Sequence, residues 1–148
     1  MNIPDRRHYS YAEFSILHTV DTKLKYPNSE KLKSRKLIAQ IFAEGRIVKA
    51  YPIRIHFLIH SNSNYAKCQA GVSVSKRNFN KAVDRNRLKR QLREAYRLNQ
   101  SIIKEKLLNS DSSYIAMMII FGGKEKLPYQ NIENAVVKAM SQINIPNE

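Results

Sequence analysis

Cysteine is nearly absent from this chain: Cys68 is the only one among 148 residues. A single thiol excludes an intrachain disulfide and a cysteine-based zinc site. Its place among strand-type residues reads as a buried side chain rather than a nucleophile. Glycine is scarce too. Of the four, only Gly122 and Gly123 are adjacent, so a glycine-rich phosphate loop is excluded. His8, His18, His56 and His60 show no HExxH spacing, and His56 and His60, four apart on a strand, make a poor metal pair. The 12 carboxylates nowhere gather into the cluster of a two-metal nuclease. No stretch approaches the roughly 20 apolar residues of a membrane span, and the opening MNIPDRRHYSYAEF lacks the apolar core of a signal peptide. The expectation is a cytoplasmic protein, not membrane-bound, without catalytic apparatus of its own.

Positive charge is what the chain has in excess. Lys and Arg total 26, for a formal net charge of +14. The distribution is uneven. Residues 1–31 carry five basic and four acidic groups, residues 32–75 seven against one, residues 76–97 nine against two, and residues 98–148 five of each. Half of the excess therefore sits in the 22 residues KRNFNKAVDRNRLKRQLREAYR. A solvated surface would intersperse both signs. A field this concentrated attracts polyanions, of which phosphate backbones are the commonest.

The length suits one domain. Residues 1–28 show no sustained period and end at Tyr26-Pro27-Asn28-Ser29, which predicts an N-terminal extension before a domain over 29–148. Ser29 is the expected N-cap of a helix reaching Glu44, with Leu32, Leu37, Ile41 and Phe42 on its apolar side and Gly45 as the stop. Ile53–His60 alternates: Ile53, Ile55, Phe57 and Ile59 face one way, Arg54, His56, Leu58 and His60 the other. Residues 61–64, Ser-Asn-Ser-Asn, form a turn, and Ala66–Ser75 a second strand. Lys81–Leu108 reads as one long helix, with Leu88, Leu92, Ala95, Tyr96, Asn99, Ile102 and Ile103 stepping by three or four. Tyr114–Phe121, YIAMMIIF, is apolar throughout, as expected of a central strand covered on both faces. A last helix spans Tyr129–Ile143. The sum is an α+β sandwich.

On the long helix Lys89, Arg90, Arg93 and Arg97 fall within an arc about 100° wide. Arginine dominates, and its planar fork suits bidentate phosphate contacts and stacking on bases. Asn86, between Arg85 and Arg87, fits either a base edge or ribose hydroxyl or a brace for the first helical turn. The run superficially matches a basic-leucine-zipper helix, but no apolar heptads follow it.

GVSVSKRNFNKAVDRNRLKRQLREAYR closely resembles the signature of the bacterial ribonuclease P protein component. In that family a strand ending G-[VL]-S-V-S-[KR], here Gly71–Lys76, leads to a helix opening A-V-x-R-N-R-x-[KR]-R-x-x-R-E, here Ala82–Glu94. Upstream, EKLKSRKLIAQIFAEGR resembles the family's first helix with its closing Phe-x-x-Gly, here Phe42 and Gly45. The resemblance covers about residues 30–143.

It implies an α-β-β-β-α-β-α two-layer sandwich with a left-handed βαβ crossover, a fold shared with a ribosomal-protein domain. One strand more than periodicity finds is required, and it is expected within 65–76. The resemblance assigns Arg85, Asn86, Arg87, Lys89, Arg90, Arg93 and Arg97, assisted by Lys76 and Arg77, to binding the ribonuclease P RNA. A cleft between the first helix and the sheet would hold the 5′ leader of precursor tRNA. Family cleft aromatics fall at Leu37, Phe42 and His56, of which only Phe42 keeps the type, and Arg54 and His60 share the face of His56, putting polar groups along the expected cleft floor. By helical spacing alone Phe42 serves equally as a core aromatic. The implied cofactor is Mg2+, bound mainly by the RNA, and no protein partner is required. A non-catalytic ribosomal or RNA-chaperone module explains the charge but not the order of these motifs, and a metal-dependent protein nuclease lacks its carboxylates.

Overall fold

The computed structural model describes residues 25–110 and 112–146. Most of the expected 1–28 extension, with His8 and His18, lies outside the described residues. Tyr26, within that stretch, packs on the domain: its ring meets Tyr96 edge-on at 5.3 Å, and its hydroxyl donates to the Ala70 carbonyl.

Helix α1 covers Arg35–Glu44. Strands β1, Arg46–Ala50, β2, Ile53–His60, and β3, Cys68–Val74, follow. Helices α2, Ala82–Asn99, and α3, Ser101–Leu108, lead to β4, Tyr114–Phe121, and the chain closes with α4, Tyr129–Ser141. The sheet order is β1-β2-β4-β3, with β3 and β4 parallel and the other pairs antiparallel. The expected α+β fold is present, and β4 is its centre: every residue from Ile115 to Phe121 is buried.

Strand alternation decides which side chains meet which helices. Ile53, Ile55 and Phe57 of β2 and Ile115, Met117, Ile119 and Phe121 of β4 join one core with Leu88, Leu92 and Tyr96 of α2 and Ile132, Val136 and Met140 of α4. The opposite face carries a smaller cluster, in which Leu37 and Ile41 of α1 cover Ala116, Met118 and Ile120. Each large apolar side chain contributes about 1.5–3 kcal/mol when fully buried.

The second predicted strand is shorter than expected, Cys68–Val74 rather than Ala66–Ser75, and the last helix ends at Ser141 rather than Ile143. Three larger differences from the sequence reading stand beside these. Helix α1 starts at Arg35, because Ser34 is its N-cap: the Ser34 hydroxyl accepts from the Leu37 N–H at 3.2 Å. Ser29 instead lies in a short 3-10 turn, Asn28–Glu30. Leu32, counted as helical, is extended, and its N–H bonds the Ala70 carbonyl at 3.0 Å. The additional strand is β1, not a segment of 65–76. Its period is hard to see because it is five residues long, begins directly after the helix stop, and has Ile47 exposed beside half-buried Val48. The long helix is interrupted at Gln100, whose buried side-chain amide bonds the carbonyls of Arg97 and Lys25 at 2.9 and 3.1 Å.

Gly45 fixes how α1 meets the sheet. A Cβ there would lie 2.3 Å from the Ile41 oxygen and 2.7 Å from that of Phe57. Only glycine lets the end of α1 approach β2 so closely, and this approach sets Phe42 above His56.

Candidate RNA interfaces

The first surface is the outer side of α2. Leu88, Leu92, Ala95 and Tyr96 point into the core, which leaves Asn86 exposed and, at steps of three, Arg87, Arg90 and Arg93. Arg87, Arg90 and Arg93 have no ion pair or side-chain hydrogen bond among the described residues. Lys76 and Arg77 are exposed in the turn before the helix. That turn is pinned by Phe79, buried against Phe121 with ring centroids 5.8 Å apart.

Three predicted contacts differ from this open pattern. Arg85 turns back on the preceding loop, its Nη1 donating to the carbonyls of Phe79 and Asn80, both at 2.8 Å. It therefore braces the helix start, a task weighed for Asn86, whereas Asn86 itself is exposed. Arg97 makes a two-pronged ion pair with Glu94, at 2.9 and 2.6 Å. Lys89 is half-buried on the flank. The free cations accordingly centre on Arg87, Arg90 and Arg93.

The second surface lies on the opposite face of the sheet, beside α1. Phe42 is 49% exposed, so it is not a core residue, and its ring stands 4.9 Å from that of His56 with the planes at 53°. Arg54 is exposed on the same face. Burial, then the charges of Arg54 and Lys49, hold the His56 imidazole below its ordinary pKa. The ring is thus kept neutral and suited to stacking rather than ion pairing. Leu37 is only 3% exposed and belongs to the small core, so it offers the cleft no surface. The residue one turn before Phe42, on its own side of the helix, is half-buried Ile38.

Two further residues of this surface come with β1, beyond those the sequence pointed to. Ile47 pairs across from His56 and Lys49 from Arg54, so both project from the cleft face, and Ile47 is 50% exposed. The alternation of Val48 and Ala50 inward with Ile47 and Lys49 outward was the available signal.

Comparison with known proteins shows the family to which a chain with these two surfaces belongs. The family model for ribonuclease P matches residues 26–144. The ribonuclease P protein component of Porphyromonas gingivalis strain W83 is 36% identical over 124 residues, spanning 80% of this chain and 88% of that protein. That of Dictyoglomus turgidum is 36% identical over 80 residues, 54% of this chain and 64% of its own. The chain belongs to the ribonuclease P protein component family. Among solved structures, the RNase P protein from Thermotoga maritima superposes with a TM-score of 0.62 over 78% of this chain and 98% of that one, at 22% identity. The Staphylococcus aureus protein gives 0.55 over 75% and 92%, at 20% identity. These likenesses fix the fold.

Membership places the chain in tRNA processing, with ribonuclease P RNA as the partner the family implies. Burial pushes the Cys68 thiol up to about 11, against Tyr96 Oη at 3.2 Å, so Cys68 is a core residue as expected. Among the described residues no three His, Cys, Asp or Glu side chains converge to hold a metal ion, and no helix is long and apolar enough to cross a membrane.

Proposed function

We propose that this chain is the protein subunit of a ribonucleoprotein that removes the 5′ leader from precursor tRNA, the RNA subunit carrying out the hydrolysis. The observation that carries the reading is the pairing of two unlike surfaces on one rigid sheet. One is an exposed arginine stripe on α2 that makes no ion pair among the described residues. The other, across the sheet, is an exposed aromatic pair with cations beside it.

The division of labour follows from the chemistry of each. Arg87, Arg90 and Arg93, with Lys76 and Arg77, neutralise and grip phosphates of the RNA subunit. Phe42 and His56 stack a leader base, worth about 1–3 kcal/mol by truncation, while Arg54 and Lys49 meet the flanking phosphates. The protein contributes substrate affinity and orientation rather than bond-breaking groups. Magnesium belongs to the RNA in this scheme, and no step is placed on a metal held by the protein.

The test is cleavage of precursor tRNA by purified RNA subunit at low magnesium, with and without this chain. Stimulation at stoichiometric protein is expected. No stimulation at any protein concentration overturns the proposal.

A further inference from the structure

The leader cleft has a second aromatic group at its far end, to which the scheme so far gives no role. His60 is the last residue of β2 and shares the face of His56, four residues away, about 13 Å at the usual strand rise. Its ring stacks on Tyr114, the cross-strand partner on β4, at 5.8 Å and 21°. Tyr65 closes the other side, edge-on to His60 at 5.8 Å and 85°. Leu58 lies between the two histidines on this face, so an apolar strip links the two ring groups.

The cluster is built rather than incidental. Lys67 donates to the Ser110 carbonyl at 2.8 Å and sits 5.0 Å over the Tyr114 ring, which holds that ring in place. The turn after β2 is locked by Asn62, whose Oδ1 accepts from the Asn64 N–H at 3.0 Å and whose carbonyl accepts from the Tyr65 N–H at 3.4 Å. The Asn62 N–H donates to His60 Nδ1 at 3.2 Å, so the neutral ring carries its proton on Nε2. Tyr65 also packs on the small core under α1, which makes it the end wall of the same cleft. All three residues remain partly exposed, while His60 Nε2 itself is buried and without a hydrogen-bond partner among the described residues. Strand β1 pairs only with Ile53–Phe57, so the edge of β2 beside Leu58 and His60 is open among the described residues.

We propose that His60, Tyr65 and Tyr114 form a second base-stacking site for single-stranded RNA, so that the cleft holds two separated bases of one leader strand. Pre-set aromatic rings beside cations, spaced along one face, are what sequence-tolerant binding of single strands requires. The distance between the ring groups makes them read different nucleotides. This inference rests on the assignment of the α1–β2 face to the leader, and the experiment separates the two.

The experiment measures substrate affinity of the ribonucleoprotein reconstituted with its RNA subunit, using precursor tRNAs whose leaders are shortened one nucleotide at a time. Wild type, Tyr65→Ala, Tyr65→Phe and Phe42→Ala are compared. Tyr65→Ala is expected to weaken binding roughly 5- to 100-fold, the equivalent of one lost stack. Tyr65→Phe keeps the ring and should retain affinity. The leader length at which the loss appears should differ between Tyr65→Ala and Phe42→Ala. If Phe42→Ala loses leader-dependent affinity and Tyr65→Ala does not, the second site is wrong and the cleft stands. A Tyr65→Ala loss that is the same without any leader makes Tyr65 structural and also overturns the site. If neither variant responds to leader length, the cleft assignment itself has failed.

Discussion

Phe42 on α1 and His56 on β2 pack against each other with ring centroids 4.9 Å apart and planes inclined by 53°. The pair is open to solvent on one side, because Phe42 is half-exposed. Replacing Phe42 with Ala should therefore cost little stability but weaken binding of leader-bearing precursor tRNA by roughly 5- to 100-fold. Affinity for mature tRNA serves as the internal control and should not change. An equal loss on both substrates means that the ring does not touch the leader.

Arg90 and Arg93 lie on the outer side of α2 and make no side-chain hydrogen bond or ion pair among the described residues. Changing each to Ala should lower the salt slope of RNA-subunit binding by about 0.7–0.9 for every phosphate left without its arginine, with the melting temperature nearly unchanged. Leu92, on the inner side of the same helix and 0% exposed, should behave oppositely. Leu92→Ala is expected to destabilise by about 2–5 kcal/mol while leaving the salt slope alone. Binding at a series of salt concentrations, alongside calorimetry, checks both.

Arg85 tests whether the family motif is uniform in its task. Its two bonds to the Phe79 and Asn80 carbonyls fix the start of α2. Arg85→Ala should destabilise by about 1–3 kcal/mol, the range for losing hydrogen bonds from a charged donor. Its effect on the salt slope should be smaller than that of Arg90→Ala. A large slope change without loss of stability would return Arg85 to the RNA-binding group.

The two cleft histidines give the protein a pH dependence of known sign. Burial lowers both His56 and His60 below 6.5, and Arg54 and Lys49 add to the effect on His56. The unfolded chain then takes up protons at a higher pH than the fold. The stability from keeping these rings neutral is complete above about pH 6.5 and falls as the pH drops towards their folded values. NMR titration should place both midpoints below 6.5 in the free protein. A bound leader phosphate near His56 should move its midpoint upward, since a nearby negative charge favours the imidazolium.

Much of this was legible in the chain because single elements declare themselves by period. The alternation of Ile53–His60 and the apolar run Tyr114–Phe121 give their strands to the residue, and Leu88, Leu92 and Tyr96 divide α2 correctly into inner and outer sides. What depended on tertiary packing was not legible. Strand β1 exists because it pairs with β2, and five residues carry too little period to show it. Leu32 fits a helical face by spacing yet is held extended by the Ala70 carbonyl. The same limit applies to the sites. The resemblance picked out Phe42 and His56, which the fold brings together, but also Leu37, which α1 turns into the core in favour of Ile38. A run of arginines does not tell which guanidinium folds back: Arg85 and Arg97 use theirs within the protein.

At the heart of this scheme, the two surfaces hold two different RNAs. Photoreactive side chains placed at Phe42 and at Arg90, in separate variants of the reconstituted ribonucleoprotein bound to precursor tRNA, put that to the sharpest test. Crosslinks are expected from position 42 to the 5′ leader and from position 90 to the RNA subunit. Crosslinks from both positions to the same RNA would contradict it.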